Sequence, residues 1–262
     1  MTDSLVTTRT DGPVRTLILN NPPANCYSHA MMRELDAAII DARFDEAIHV
    51  IVLRGEGDKF FCAGADIGML GDVTPTFKYH FCLHANETLN RLEQTPKLTI
   101  AALGGHCVGG GLEVALACDL RIARRDAGKI GLPEVALGVL PGTGGTQRMV
   151  RLLGKSRAME WLVTGKVTNF EEAHEVGLVH EVWESEGFDE RVLEYATGFA
   201  PPARASKAVG LIKRATQSGA EVGFHEGLAL ERELQQQLFT SHDAHEGIAA
   251  YNEKRPPVFR GE

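Results

Sequence analysis

Two glutamates stand alone in apolar surroundings. In Ala101 to Cys118 (AALGGHCVGGGLEVALAC) the only carboxylate is Glu113, and in Ile130 to Thr146 (IGLPEVALGVLPGTGGT) the only charge is Glu134. A carboxylate in such a run is costly unless it is paired, hydrogen-bonded or protonated. Each alone has a structural explanation: a glutamate is favoured in the first turn of a helix, and Glu134 follows Pro133 as a loop charge would. Two such residues, each beside a glycine cluster, point instead to a general acid and a general base. Gly109, Gly110 and Gly111 should open the helix that carries Glu113. Without side chains, their N–H groups can approach a ligand oxygen at the positive end of the helix, the construction of an oxyanion hole. A second turn of small residues, FFCAGAD at 60–66, is a source of another donor. The helix dipole should lower the pKa of Glu113 and make it the base. Leu132, Val135 and Leu137 should desolvate Glu134 and raise its pKa, making it the acid.

Other motifs are incomplete. Gly154-Lys155-Ser156 resembles the end of a phosphate-binding loop, but Met149 stands where that motif needs glycine, so it is a helix start. Gly142, Gly144 and Gly145 are followed by Gln147 where a dinucleotide fingerprint needs its last glycine. His80 and His84 lie four apart without a third ligand, so no metal site is expected. No GxSxG elbow occurs.

The elements that must carry these residues alternate. Val14 to Leu19 and His49 to Leu53 are expected strands. Between them a helix capped by Ser28 runs to about Phe44, with Met31, Met32, Leu35 and Ile39 at helical spacing. A loop from Lys59 to about Pro75 precedes a helix over roughly Phe77 to Glu93, which Pro96 stops. Leu98 to Leu103 and Asp119 to Ala123 are further strands, and the alternation predicts an α/β layered core with parallel pairing. From about Gly145 onward helices dominate, with little strand signal between them.

Composition bounds the function. With 27 Lys plus Arg against 35 Asp plus Glu in 262 residues, the net charge is −8, which argues against a general binder of nucleic acid or anionic membranes. The five cysteines are widely spaced without a CxxC pair, so reduced, buried thiols are expected. The N-terminus carries Asp3 and Asp11 and lacks a basic start with an apolar run, which predicts a cytoplasmic protein. Leu98 to Cys118 is apolar, but its five glycines and His106 mark it as buried core and not a membrane span.

Taken together, FFCAGADI at 60–67, AALGGHCVGGGLEVALACDLRIA at 101–123, LPEVALGVLPGTGGTQR at 132–148, LVTGK at 162–166 and EGIAAYNEKRPP at 246–257 resemble the enoyl-CoA hydratase/isomerase (crotonase) superfamily across nearly the whole chain. The resemblance implies a crotonase-like spiral of repeated ββα units over residues 1–200 and a C-terminal helical trimerisation region over 201–262. It implies a homotrimer or homohexamer, an acyl-CoA substrate, and no cofactor beyond the coenzyme A of that substrate. The backbone N–H groups of Ala65 and Gly110 would hold the thioester oxygen, with Glu113 and Glu134 as the two catalytic carboxylates. Retention of both implies hydration of a 2-enoyl-CoA; the alternatives are a Δ3,Δ2-enoyl-CoA isomerase or another acyl-CoA enzyme of the superfamily. Gly142 would assist the water or the carboxylate, while Ala63, Asp66, Ile67, Lys254 and Arg255 would contact CoA. Gly68 and Gln235 depart from the lysine and the aromatic residue of many relatives. Some relatives bind RNA through a lysine-rich helix, but the corresponding stretch, roughly Ala85 to Gln94, has Arg91 as its only basic residue.

Overall fold

The Ser28 hydroxyl accepts a hydrogen bond from the Met31 N–H and starts a helix where the apolar spacing expects one. In the computed structural model, which describes residues 4–262 and so leaves Asp3 outside the described residues, this helix follows a hairpin. The chain begins with β1 (Val6–Asp11), β2 (Val14–Leu19), α1 (His29–Phe44), β3 (Val50–Gly55), β4 (Phe60–Cys62), α2 (Ile67–Gly71) and α3 (Pro75–Gln94). It continues through β5 (Leu98–Leu103), β6 (His106–Val108), α4 (Gly110–Leu116), β7 (Leu120–Arg124) and β8 (Lys129–Gly131) to a 3-10 turn (Glu134–Leu137). Then come α5 (Gly145–Leu153), α6 (Lys155–Thr164), β9 (Val167–Asn169), α7 (Phe170–Glu175), β10 (Glu181–Trp183) and α8 (Phe188–Thr197). Three helices finish the chain: α9 (Ser206–Gly219), α10 (Phe224–Phe239) and α11 (His242–Glu253).

The strands form two sheets. The larger has the order β1-β2-β3-β5-β7-β10 and the smaller β4-β6-β8-β9. Pairing is parallel except at the β1–β2 and β8–β9 edges. Three successive strand pairs, β3 with β4, β5 with β6 and β7 with β8, each send the first strand to the large sheet and the second to the small one. Helices follow each pair, so the chain winds as a ββα spiral.

Leu17, Leu53, Met31, Phe81, Leu89 and Ala115 belong to the main core. The opposite face of the large sheet buries Val14, Val50, Val52, Ile100 and Ile122 under Phe188 and Val192 of α8. Each such side chain contributes about 1.5–3 kcal/mol of burial. At the far end of α4, the buried Arg121 guanidinium donates to the carbonyls of Ala115 and Cys118, fixing the C-terminus of that helix. Lys213 of α9 lies 2.9 Å from the Asp119 carboxylate and ties the C-terminal helices to the sheet.

Several expectations need correction. The region from Lys59 to Pro75 is not only loop, since it holds β4 and α2, and the chain from Gly145 onward contains β9 and β10. Strand β1 carries little sequence signal because VTTRTD lies on an edge and buries little beyond Val6. The cysteines are all free, yet Cys26 and Cys82 are only half-buried. Burial pushes the Cys62 and Cys118 thiols up to about 12, which makes them poor nucleophiles.

Candidate active site

The site begins at the start of α4. Gly109, the residue before its first turn, has φ +57° and ψ −137°, a conformation open to glycine at little cost. It turns the chain so that α4 points its N-terminus at the segment after β4. There Gly64 has φ +97°, and a Cβ on it would lie 2.9 Å from the Gly110 nitrogen. The two turns of small residues therefore touch. Tyr27 braces the first of them: its N–H donates to the Gly64 carbonyl (2.9 Å), and its carbonyl accepts from the Asp66 N–H (3.0 Å). Ala65 sits between these two bonds. Among the described residues neither the Ala65 nor the Gly110 N–H has a hydrogen-bond partner. Two free donors on adjoining segments, a half-buried turn and a helix start, are the elements of an oxyanion hole.

Glu113 lies in the first turn of α4, as expected, and is 2% exposed. Its Oε1 accepts the N–H groups of Thr143 and Gly145, both at 2.8 Å, and its Oε2 accepts the Thr143 hydroxyl. The expected lowering of its pKa by the helix dipole does not hold. Burial pushes the Glu113 carboxyl up, against the three Thr143 and Gly145 donors and Arg148, which pull it down.

Glu134 opens the 3-10 turn and is half-buried. A Cβ on Gly109 would lie 3.2 Å from its Oε1, so the glycine before α4 also faces the second carboxylate. Its Oε2 is buried without a partner. Burial, reinforced by the nearby Glu113 charge, raises its pKa to about 7, while its own backbone N–H and Lys78 act in the opposite direction. The expected direction holds, but Val135 and Leu137 are 45% and 61% exposed and are not what surrounds it. The 3-10 turn points them outward.

The remaining predicted residues fall into two groups. Ala63, half-buried, precedes Gly64, and Asp66 caps α2 by accepting from the Met69 N–H, leaving Ile67 exposed beside it. Gly142 is half-buried and lines a cavity of about 590 Å³ with Asn86 and Leu140. The residues that grip Glu113 are its neighbours Thr143 and Gly145. Lys254 and Arg255 lie at the end of α11, where Arg255 is engaged by Glu246 (2.6 Å) and Glu253 (2.7 Å). Gly68 and Gln235 are exposed. A larger cavity, about 1080 Å³, lies elsewhere, between α9 and the sheet, with Leu98, Val209 and Ile212 among its walls.

Sequence reasoning missed Thr143, Gly145 and Tyr27 as site residues. A hydroxyl inside the PGTGG glycine cluster was an available signal for Thr143. Tyr27 offered none, because its contact with Thr143 spans 116 positions. No cluster of three or more His, Cys, Asp or Glu capable of holding a metal ion occurs among the described residues, and no described helix is long and apolar enough to cross a membrane.

The chain is similar to known proteins over nearly its whole length. A family model described as enoyl-CoA hydratase/isomerase matches residues 9–262. The fold superposes on the crystal structure of an enoyl-CoA hydratase from Geobacillus kaustophilus HTA426 with a TM-score of 0.95 and 44% identity, over 100% of this chain and 98% of that one. The chain is 36% identical to an enoyl-CoA isomerase/hydratase of Mycosarcoma maydis, over 94% of this chain and 92% of the relative. It is also 36% identical to the mitochondrial methylglutaconyl-CoA hydratase of Homo sapiens, over 91% of this chain and 70% of that protein.

Proposed function

Because this chain belongs to the enoyl-CoA hydratase/isomerase family, we propose that it adds water across the C2–C3 double bond of a 2-enoyl-CoA thioester. The observation that carries this reading is the presence of two carboxylates with contrasting hydrogen bonding beside one glycine turn. Glu113 accepts three hydrogen bonds, whereas Glu134 has a buried oxygen without a donor and a pKa near 7. A carboxylate held by three donors is suited to take a proton, and one with a buried oxygen that no donor reaches is suited to give one.

In this reading the Ala65 and Gly110 N–H groups bind the thioester oxygen. Glu113 removes a proton from water as the resulting hydroxide bonds to C3, and the C2–C3 π electrons move toward the thioester to form an enolate. The two N–H groups stabilise the charge on that oxygen, each worth about 3–4 kcal/mol by analogy with measured oxyanion-hole donors. Glu134 then delivers its proton to C2. Water has been divided between C3 and C2, and proton return from Glu113 to Glu134 resets the pair. The N–H of Gly142, without a hydrogen-bond partner among the described residues, is suited to orient the water. Because the carboxylates interact, their titrations belong to the pair.

Ala63, Asp66 and Ile67 border the entry for CoA, and Lys254 approaches its phosphates. Arg255 joins it by exchanging Glu246 or Glu253 for phosphate. Assembly into a homotrimer or a pair of trimers belongs to this reading, and exposed Leu137, Val139 and Leu140 are apolar surface that a contact would cover, since such a run costs free energy in water. Arg91, bonded to Asp36 at 3.0 Å, offers no free basic helix to RNA.

The test is an assay of the purified protein against straight, branched and aromatic 2-enoyl-CoA thioesters, following loss of the conjugated thioester absorbance. Reversible hydration of at least one is expected. Conversion of 3-enoyl-CoA to 2-enoyl-CoA without hydration would assign the protein as an isomerase instead.

A further inference from the structure

We propose that Thr143 and Tyr27 are positioning residues whose hydroxyls form a donor chain, Tyr27 Oη to Thr143 Oγ1 to Glu113 Oε2, that keeps Glu113 a carboxylate. Tyr27 is 2% exposed, and its hydroxyl lies 3.2 Å from Thr143 Oγ1, its one hydrogen-bond partner among the described residues. A buried phenol proton needs an acceptor. Tyr27 therefore donates to Thr143, and the single hydroxyl proton of Thr143 is directed at Glu113 Oε2.

The other carboxylate oxygen cannot carry a proton comfortably. Oε1 faces two N–H groups, those of Thr143 and Gly145, and neither can accept. A proton on Oε2 that was given to Thr143 would reverse the chain, turning the Thr143 hydroxyl toward Tyr27. The phenol proton would then be buried without an acceptor. The order of the hydroxyls thus opposes what burial does to Glu113.

A carboxylate has about four acceptor sites. Three are filled by protein donors, two on Oε1 and one on Oε2. The vacant site is on Oε2, so the same chain selects the oxygen that takes the proton from water. Several titratable groups face this arrangement: Cys62 from β4, Cys82 from α3, Glu134 from the 3-10 turn and Arg148 from α5. Cys107 of β6 faces Cys62, and Lys78 of α3 acts on Glu134. Arg148 is shared with Glu93 at 2.9 Å, so its charge does not serve Glu113 alone.

This inference rests on the hydratase reading for its effect on turnover, but its hydrogen-bond logic does not. Thr143→Val keeps the shape and backbone N–H while removing the hydroxyl. Two readouts follow the consequence. In the unliganded protein, the infrared carboxylic-acid band that disappears in Glu113→Gln is titrated against pH. During turnover, the acidic limb of the kcat profile for 2-enoyl-CoA hydration reports the same group. Thr143→Val should move both upward by about one to two pH units, the size of one hydrogen bond to a charged group. Tyr27→Phe should move them in the same direction by less, because Thr143 can still donate. Thr143→Ser should restore the original midpoint. Unmoved midpoints in Thr143→Val and Tyr27→Phe, with turnover lowered equally at every pH, would overturn the proposal and leave a packing role. If Thr143→Val does not fold, Tyr27→Phe decides alone, an unmoved infrared midpoint overturning the proposal. A moved infrared midpoint in a protein that hydrates no 2-enoyl-CoA would support the donor chain and reject the hydratase reading.

Discussion

A carboxyl that titrates near pH 7 in the folded chain destabilises that chain once it ionises. Glu134 has this property, moving from 4.5 to about 7 through burial and the neighbouring Glu113 charge. Below about 4.5 the group is protonated in both the folded and unfolded states and contributes nothing to pH dependence. Between about 4.5 and 7 the folded state binds more protons, so stability falls as pH rises, and above about 7 the full penalty persists. Burial of Glu113 acts in the same direction. Because Glu134 is partly open to solvent, its share is discounted to about 1–2 kcal/mol. Glu134→Gln should therefore raise Tm by about 2–6 °C at pH 8 and by much less at pH 5, measured by thermal unfolding of the inactive variant. An equal gain at both pH values would show that ionisation of Glu134 carries no such penalty.

The helix α4 concentrates the problem at the next scale. Its N-terminus faces the candidate thioester site, its first turn carries Glu113, and its C-terminus is fixed by Arg121. Glycines 109–111 and the isolated Glu113 make the helix start readable from sequence, and the apolar run from Leu98 to Leu103 makes β5 readable. The short strands β4, β6 and β8 were not readable, because three residues are too few for alternation to declare a strand. They form through pairing with one another, a long-range condition. The same holds for Tyr27, packed so closely over Gly110 that any Cβ there would strike its phenol ring. That contact allows a controlled experiment. Gly110→Ala introduces the clash but keeps the N–H, whereas Gly110→Pro also removes the N–H, at a first helical position where proline is otherwise tolerated. Turnover by the proline variant should be about 10²–10³ lower than by the alanine variant. Equal turnover would remove the Gly110 N–H from the site.

Across the whole chain, a spiral fold brings distant segments to one place. The turn after β4 supplies Ala65, the start of α4 supplies Gly110 and Glu113, the 3-10 turn supplies Glu134, and the segment before α5 supplies Thr143. Each pass around the spiral adds a piece, so no short stretch of sequence contains the site. The proposed reaction divides the labour, with Glu113 to serve the water and Glu134 to serve C2. Exchange of the C2 proton of a saturated acyl-CoA with D₂O isolates this division, because it uses the oxyanion hole and the carboxylate facing C2 but no attack by water. Either glutamine variant should lose about 10²–10⁴ in kcat for hydration. Exchange followed by NMR should persist in Glu113→Gln and disappear in Glu134→Gln. Persistence in Glu134→Gln with loss in Glu113→Gln would reverse the two roles, and equal loss in both would contradict a division of labour altogether.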